Sequence, residues 1–265
     1  MFESGLFENL EGGGGTSTVG HGETCEQKSS SFSVGYCWTR KNFDLIEIDS
    51  PAISADWLDE KYEYDGFIFL SKHAAESGTL ALTCHSTGNF DEAKFGGNSK
   101  ELAIPYPDLQ KRYLQKLWDN HESFSDFEIT IEATHHGPTH LKKPSIFVEI
   151  GTTELQWNDE TLCSSVAQLV IETLETTSDS HPFAICFGGT HYSEKFTKEL
   201  LFGKYALGTV MPKHALDYLD EELFSHIISQ NEMAKFALLD WRGLGTNKQK
   251  ILDLLKSTSL EIIKL

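Results

Sequence analysis

The sequence predicts an α/β fold. Short runs rich in β-branched and aromatic residues alternate with longer stretches whose apolar residues recur at helical spacing, the pattern of strands packed against helices. The chain has 265 residues, 39% hydrophobic and 23% charged, a balance that suits a globular protein with a sizeable core. No repeat period runs through it, which excludes a solenoid or propeller. The expected organisation is an irregular segment over residues 1–42, then one α/β domain over 43–265.

Taken in order, Met1–Leu10 reads as a short helix and Gly12–Gly15 as a flexible connection. Those glycines follow no strand and open no apolar helix, so they do not make a phosphate cradle. Asp44–Ile48, Gly66–Leu70 and Leu80–Cys84 read as strands, with His73 and His85 just beyond the last two. Pro105 and Pro107 lead into a helix over Asp108–Trp118, whose Leu109, Tyr113, Leu114 and Leu117 share a face. Glu128–Ile131 and Ile146–Ile150 carry strand residues again. A helix over about Asp159–Thr176 turns Val166, Leu169, Val170 and Leu174 inward, and Phe183–Phe187 is an apolar strand. Further on come a helix from Ala215 through Ile228, a strand at Lys235–Leu239, a helix near Asn247–Lys256 and the apolar Leu260–Ile263.

Composition narrows the chemistry. No apolar stretch approaches the ~20 residues of a membrane span, and no basic flank leads into an apolar run at the N-terminus. A cytoplasmic protein is expected. The cysteines Cys25, Cys37, Cys84, Cys163 and Cys186 form no C-x-x-C pair, so they read as free thiols rather than a zinc ribbon or redox dithiol. A formal charge of −18 argues against a broad nucleic-acid surface. Between Gly188 and Leu216, however, Lys195, Lys198, Lys204 and Lys213 outnumber Glu194 and Glu199, and Lys142-Lys143 directly follow a histidine-rich turn.

That turn is Ala133-Thr-His-His-Gly-Pro-Thr-His140, held between two strands, the setting of a reactive loop on a rigid scaffold. A second strand end, Phe183–Phe187, runs into Gly188-Gly-Thr-His-Tyr192. Two strand ends that each deliver imidazole point to one shared pocket. Taken singly, His73, His85 and His140 read first as satisfied structural residues. His135, His136 and His191 are the candidate centre. On an extended chain adjacent side chains point to opposite faces, so one of His135 and His136 is expected in the pocket and the other bracing it. Two or three histidines with Glu149 or Glu154 suit an open hydrolytic zinc site, although no H-E-x-x-H helix is present. There is no G-x-S-x-G elbow. Gly188-Gly189-Thr190 offers successive N–H groups to an oxyanion, and Thr190 a hydroxyl.

Several separated blocks resemble the D-aminoacyl-tRNA deacylases of archaea and plants. They are Ser71-Lys-His73, His85-Ser-Thr-Gly-Asn89, Phe95-Gly-Gly97, Ala133-Thr-His-His-Gly-Pro138, Lys143-Pro-Ser145, Glu149-Ile-Gly-Thr-Thr-Glu154 with Trp157, and Gly188-Gly-Thr-His-Tyr192. In order and spacing they cover roughly residues 43–240. The resemblance implies a three-layer α/β sandwich with a mixed sheet, similar to peptidyl-tRNA hydrolases and nucleoside phosphorylases. It implies hydrolysis of the ester between a D-amino acid and the 3′-terminal adenosine of tRNA, a proofreading activity that in plant members is linked to aldehyde-modified D-aminoacyl groups. Zinc is the implied cofactor. Family members open with a strand before their first helix, whereas Met1–Leu10 looks like that helix already under way, so the expectation is either an incorrect start or the lack of one sheet strand.

The expected site follows. His135, His136, His191 and Thr190 are the catalytic candidates, and His135, His136, Glu149 and His191 the zinc ligands. Lys142, Lys143, Gly188, Gly189, Tyr192, Lys195, Lys213 and His214 are expected to receive the acceptor end, with Tyr192 and Phe187 stacking on its adenine. A monomer is expected. The competing reading is a zinc-dependent hydrolase of a small amide or nucleoside on the same fold.

Overall fold

A computed structural model describes residues 8–9, 34–74, 78–176 and 180–265. Strand β1 (Glu8–Asn9) pairs antiparallel with β2 (Val34–Arg40), which pairs antiparallel with β3 (Phe43–Ile48). Two expectations are corrected here. Glu8–Asn9 is extended rather than helical, and the irregular segment gives way to a strand at Val34, well before residue 42. The sequence of β2 supplies Val, Tyr, Trp and Thr, good strand formers, and Lys41 at φ 51° closes the hairpin. The rest of the expected first helix, the Gly12–Gly15 connection and Cys25 lie outside the described residues.

A short helix α1 (Leu58–Lys61) precedes β4 (Phe67–His73) and β5 (Ala81–His85); then come helix α2 (Pro107–Asp119), β6 (Glu128–Ile131) and β7 (Ser145–Gly151). These strands form a mixed sheet in the order β4-β7-β5-β6, with only the β5/β7 pair antiparallel. Helices α3 (Glu154–Trp157) and α4 (Glu160–Glu175) lead to β8 (Phe183–Phe187), α5 (Glu194–Phe202), β9 (Ala206–Met211), α6 (Glu221–Gln230), β10 (Phe236–Leu239), α7 (Lys248–Leu255) and β11 (Glu261–Lys264). The latter strands form a second sheet, all parallel, in the order β11-β10-β8-β9. Just past β6 the Thr134 N–H donates to Val210 O at 2.9 Å, and the Val210 N–H donates to Thr134 Oγ1 at 2.9 Å. The free edges of the two sheets are thereby joined.

Strand alternation sends side chains into cores on both faces. From β7, Ile146 and Val148 join Leu82 and Cys84 of β5 beneath α2 and α4, while Phe147 turns the other way to Phe67, Phe69 and Trp57. In the second sheet Ala184, Cys186 and Leu238 face that first core, and Ile185, Phe187, Ala237 and Leu239 face α6 and α7. The result is the expected α/β sandwich with helices on both sides. Each fully buried Leu, Ile or Phe contributes roughly 1.5–3 kcal/mol relative to exposure. The helix starts follow their capping chemistry: Pro107 opens α2, and Asp159 accepts from Thr161 N and Leu162 N ahead of α4.

The helix expected over Ala215–Ile228 is two elements. Lys213–Tyr218 forms 3-10 turns, and Asp220 accepts from Leu223 N to start α6 afresh. Between His191 and Pro212, read only for its lysines, lie α5 and β9. β9 contains Gly208, a weak strand former, because a Cβ there would sit 2.3 Å from Asn231 Oδ1 and 2.4 Å from the Phe183 ring. Cys84, Cys163 and Cys186 are free thiols, and burial pushes those of Cys84 and Cys186 far above their ordinary pKa. Among the described residues no helix is long and apolar enough to cross a membrane.

Candidate active site

Sheet register builds the site. Glu149 on β7 pairs with Ser71 of β4 and with Thr83 of β5, so His73 and His85, two residues further along each neighbour, share its face. His73 Nδ1 lies 3.0 Å from Glu149 Oε2 and 3.3 Å from Glu132 Oε1. Glu132 stands immediately after β6. It is bolted to the glycine-rich loop by a bridge with Tyr192 and by the neighbouring Ala133 N–H, which donates to His191 O at 2.8 Å. Glu132 Oε2 is 2.8 Å from His191 Nε2 and 3.7 Å from His135 Nε2. The two loops therefore meet in one pocket, as the sequence implied, with the His135 and His191 rings 4.8 Å apart.

Both adjacent histidines face that pocket. The His135 and His136 rings lie 4.2 and 4.8 Å from the ring of His85, and 4.4 Å from one another. The expectation that one would turn away assumed an extended chain; His136 has φ 44°, which breaks the strand-like alternation. Phe147, fully buried, floors the cluster against His85 and His136.

Hydrogen bonds fix the tautomers. His85 Nδ1 meets Ser86 O at 3.1 Å, His135 Nδ1 meets Ala133 O at 2.8 Å, and His136 Nδ1 meets Gly137 O at 2.7 Å. A carbonyl only accepts, so Nδ1 carries the proton in all three and Nε2 is the nitrogen left over. His85 Nε2 is buried without a hydrogen-bond partner, its nearest carboxylate oxygen being 3.8 Å away on Glu149. The Glu132 oxygens are buried too, and although imidazole nitrogens approach them, neither accepts a well-directed hydrogen bond.

Electrostatics divide the cluster in two. Burial alone would raise the carboxyls of Glu132 and Glu149; the surrounding imidazoles outweigh it, His191 foremost at Glu132 and His73 at Glu149, and hold both below their ordinary range. Burial would likewise lower His73, yet Glu149 and Glu132 bring it above its usual value. At the mouth the balance reverses. Burial, reinforced by the neighbouring His85, lowers His136 to about 4 and depresses His135 strongly, so both are neutral near pH 7 with Nε2 lone pairs available.

Among the described residues three groups have ligand atoms within 4.8 Å of one another: His85 with His135 and His136, His73 with Glu132 and His191, and His85 with Glu132 and Glu149. The expected zinc ligands His135, His136, Glu149 and His191 thus divide among the three. Three imidazoles with Nδ1 anchored on carbonyls and an orphaned buried Nε2 are a donor set that fits a divalent cation of the zinc type.

Other expected residues fare unevenly. Thr190 gives its hydroxyl to Tyr192 O, closing the turn. Gly188 and Gly189 adopt φ 98° and 82°, but the Gly188 N–H donates to Met211 O at 2.8 Å and is not available to an oxyanion. Gly189 O receives the Lys213 N–H at 2.9 Å, which sets exposed Lys213 and His214 beside the loop. Lys195 Nζ is held by Asp240 and by Leu265 O at 2.7 and 2.8 Å, Lys198 by Glu194, and Lys204 lies over Tyr205 and Phe236. Lys142 and Lys143 are exposed past the histidine turn. His140 pairs outward with Glu101 at 2.7 Å. Phe187 is fully buried and cannot stack on a base. Tyr192 places its hydroxyl 2.9 Å from His73 Nε2 and its ring against His191. Sequence reasoning missed Glu132; the available signal was a carboxylate ending the Glu128–Ile131 strand three residues before His135.

Known proteins are similar to this chain along most of its length. A D-aminoacyl-tRNA deacylase family model matches residues 60–263. A protein of Cenarchaeum symbiosum named D-aminoacyl-tRNA deacylase is 61% identical over 229 residues, covering 86% of this chain and 89% of its own length. One of the same name from Methanocaldococcus jannaschii is 35% identical, covering 84% of this chain and 90% of its own. A crystal structure described as that of a conserved protein of unknown function, AF0625, matches with a TM-score of 0.82 at 28% identity, over 88% of this chain and 86% of the other. With the family model running through every strand that carries the cluster, this chain belongs to the D-aminoacyl-tRNA deacylase family.

Proposed function

We propose that this chain hydrolyses the ester joining a D-amino acid to the 3′-terminal adenosine of tRNA, using the imidazole cluster over Glu132 and Glu149. The names of its relatives support the substrate. The observation that carries the chemistry is the pairing of neutral imidazoles at the mouth with ionised carboxylates buried behind them. His191 is the general base. Glu132, its carboxylate oxygen 2.8 Å from His191 Nε2, stabilises the imidazolium by its charge, as the buried carboxylate does in a Ser-His-Asp triad. His191 Nδ1 takes a proton from water as the oxygen attacks the ester carbonyl, then returns it to the departing 3′ oxygen. Such positioned acid–base catalysis supplies roughly 10²–10⁴-fold. A zinc ion held by His85, His135 and His136 would supply a Lewis acid for the ester carbonyl. Lys142, Lys143, Lys213 and His214 line the approach of the acceptor end. The assembly of the cluster within one chain supports a monomer as the working unit, and a charged-tRNA substrate supports a cytoplasmic location.

The test is release of amino acid from D-Tyr-tRNA and L-Tyr-tRNA by zinc-replete wild type and by His135→Ala, with metal content read by elemental analysis. D-selective release that falls sharply in the variant, together with lost zinc, is expected. A folded, zinc-replete wild type that releases neither amino acid faster than buffer would refute the reading and favour a small-molecule hydrolase.

A further inference from the structure

A deacylase of this kind has to hold the nucleobase beside the scissile ester, and proteins hold single-stranded RNA ends by stacking bases on aromatic rings. Neither aromatic residue that the sequence suggested is free for this: Phe187 is buried, and Tyr192 is engaged with His73 and His191. Another ring is free. Phe95 is 66% exposed, in a loop that leaves the His85 strand and returns to α2.

That loop is welded to the histidine turn by backbone contacts. The Gly137 N–H donates to Phe95 O at 3.0 Å, and the Gly88 N–H donates to His136 O at 2.8 Å. Asn89 Nδ2 donates to Gly96 O and Asn98 O at 2.9 and 3.1 Å, and the Asn98 N–H donates to Thr139 Oγ1 at 2.8 Å. Gly96 has φ 73°, and a Cβ there would lie 2.0 Å from Ile53 O; a Cβ on Gly137 would lie 2.4 Å from Gly97 N. Glycine thus brings two backbones into direct contact one residue from His136. The Phe95 carbonyl and the backbone that follows it are fixed against the histidine turn, while the ring, a large apolar surface, is left in water. Core packing does not account for this arrangement; a platform for a planar ligand does.

We propose that Phe95 is the stacking platform for the terminal nucleobase of the tRNA acceptor end. The inference rests on the deacylase reading for its choice of ligand. Its test is separate: equilibrium binding of a fluorescein-labelled CCA trinucleotide, by anisotropy, to wild type, Phe95→Ala and Phe95→Trp, alongside steady-state release from D-Tyr-tRNA and from D-tyrosine methyl ester, which lacks a base. Phe95→Ala is expected to weaken CCA binding and to raise KM for D-Tyr-tRNA by about 5- to 100-fold, with kcat and methyl ester hydrolysis within about twofold of wild type. Phe95→Trp is expected to restore both. Equal CCA affinities for wild type and Phe95→Ala, or no binding by wild type, would overturn the proposal. Phe95-dependent CCA binding by a wild type that releases no amino acid would instead uphold the platform and sink the deacylase reading.

Discussion

Glu132 concentrates the site's electrostatics in a single residue. It is fully buried, and the nitrogens of His73, His135 and His191 lie within 3.7 Å of its oxygens. Glu132→Gln keeps the shape and removes the charge, so the imidazolium formed at His191 loses its counterion. We expect kcat/KM for D-Tyr-tRNA to fall about 10²–10³-fold with little change in KM, measured by initial rates; a loss under threefold would assign Glu132 a packing role only. Protonation of the neutral imidazoles gives a second prediction. His136 is lowered from 6.5 to about 4, so between these values the unfolded chain binds a proton that the folded chain refuses. Stability is full above pH 6.5 and declines as pH falls toward 4. In chelator, the melting temperature of wild type is expected to drop across that window, and His136→Gln to flatten the drop; an unchanged acid limb in the variant would contradict the assignment. The site was legible in part. Histidines beside glycines announced themselves, whereas His73 and His85 read as structural residues and Glu132 went unread, because only the pairing of β4, β7 and β5 and the bridge to Tyr192 bring them together.

Elements with a clear period were legible in the sequence; those without one were not. Helices α2 and α4 and strands β6, β7 and β8 stand within a residue or two of their expected bounds, since each carries a strong apolar repeat and a Pro or Asp at a helix start. The segment with α5 and β9 was hidden by its lysines and by Gly208. It depends on a residue that no local rule singles out. Lys111 on α2 is buried, and its Nζ donates to Leu200 O, Gly203 O and Tyr205 O at 2.6, 2.9 and 3.1 Å, capping the end of α5 and the turn into β9. Burial lowers its pKa, opposed by Glu199. Lys111→Met fills the space but leaves carbonyls without a donor inside the core, where each orphaned group costs roughly 1–3 kcal/mol. Urea denaturation is expected to show destabilisation of about 2–4 kcal/mol with no change in kcat for the folded fraction. Stability equal to wild type would mean that water replaces the ammonium.

At the scale of the whole molecule, an acidic body has to meet a polyanion. The net charge is −18, and three of the four lysines that suggested a basic strip are taken up by Asp240, Glu194 and aromatic rings. On the proposed function the net charge offers no long-range attraction to tRNA, and the acceptor end would meet Lys142, Lys143 and Lys213, which are exposed beside the two site loops. Each phosphate neutralised by such a residue on a single strand contributes a slope of about −0.7 to log K against log salt. With three candidate lysines, the slope of log kcat/KM for D-Tyr-tRNA against log salt is expected near −2, far shallower than for proteins that grip the tRNA body. Lys142→Ala with Lys143→Ala should bring it to roughly −0.7. The same pair of substitutions should leave hydrolysis of D-tyrosine methyl ester untouched, because neither side chain belongs to the imidazole cluster. A wild-type slope steeper than about −5 would require several more phosphate contacts than these three lysines supply, and would move the tRNA surface elsewhere on the molecule.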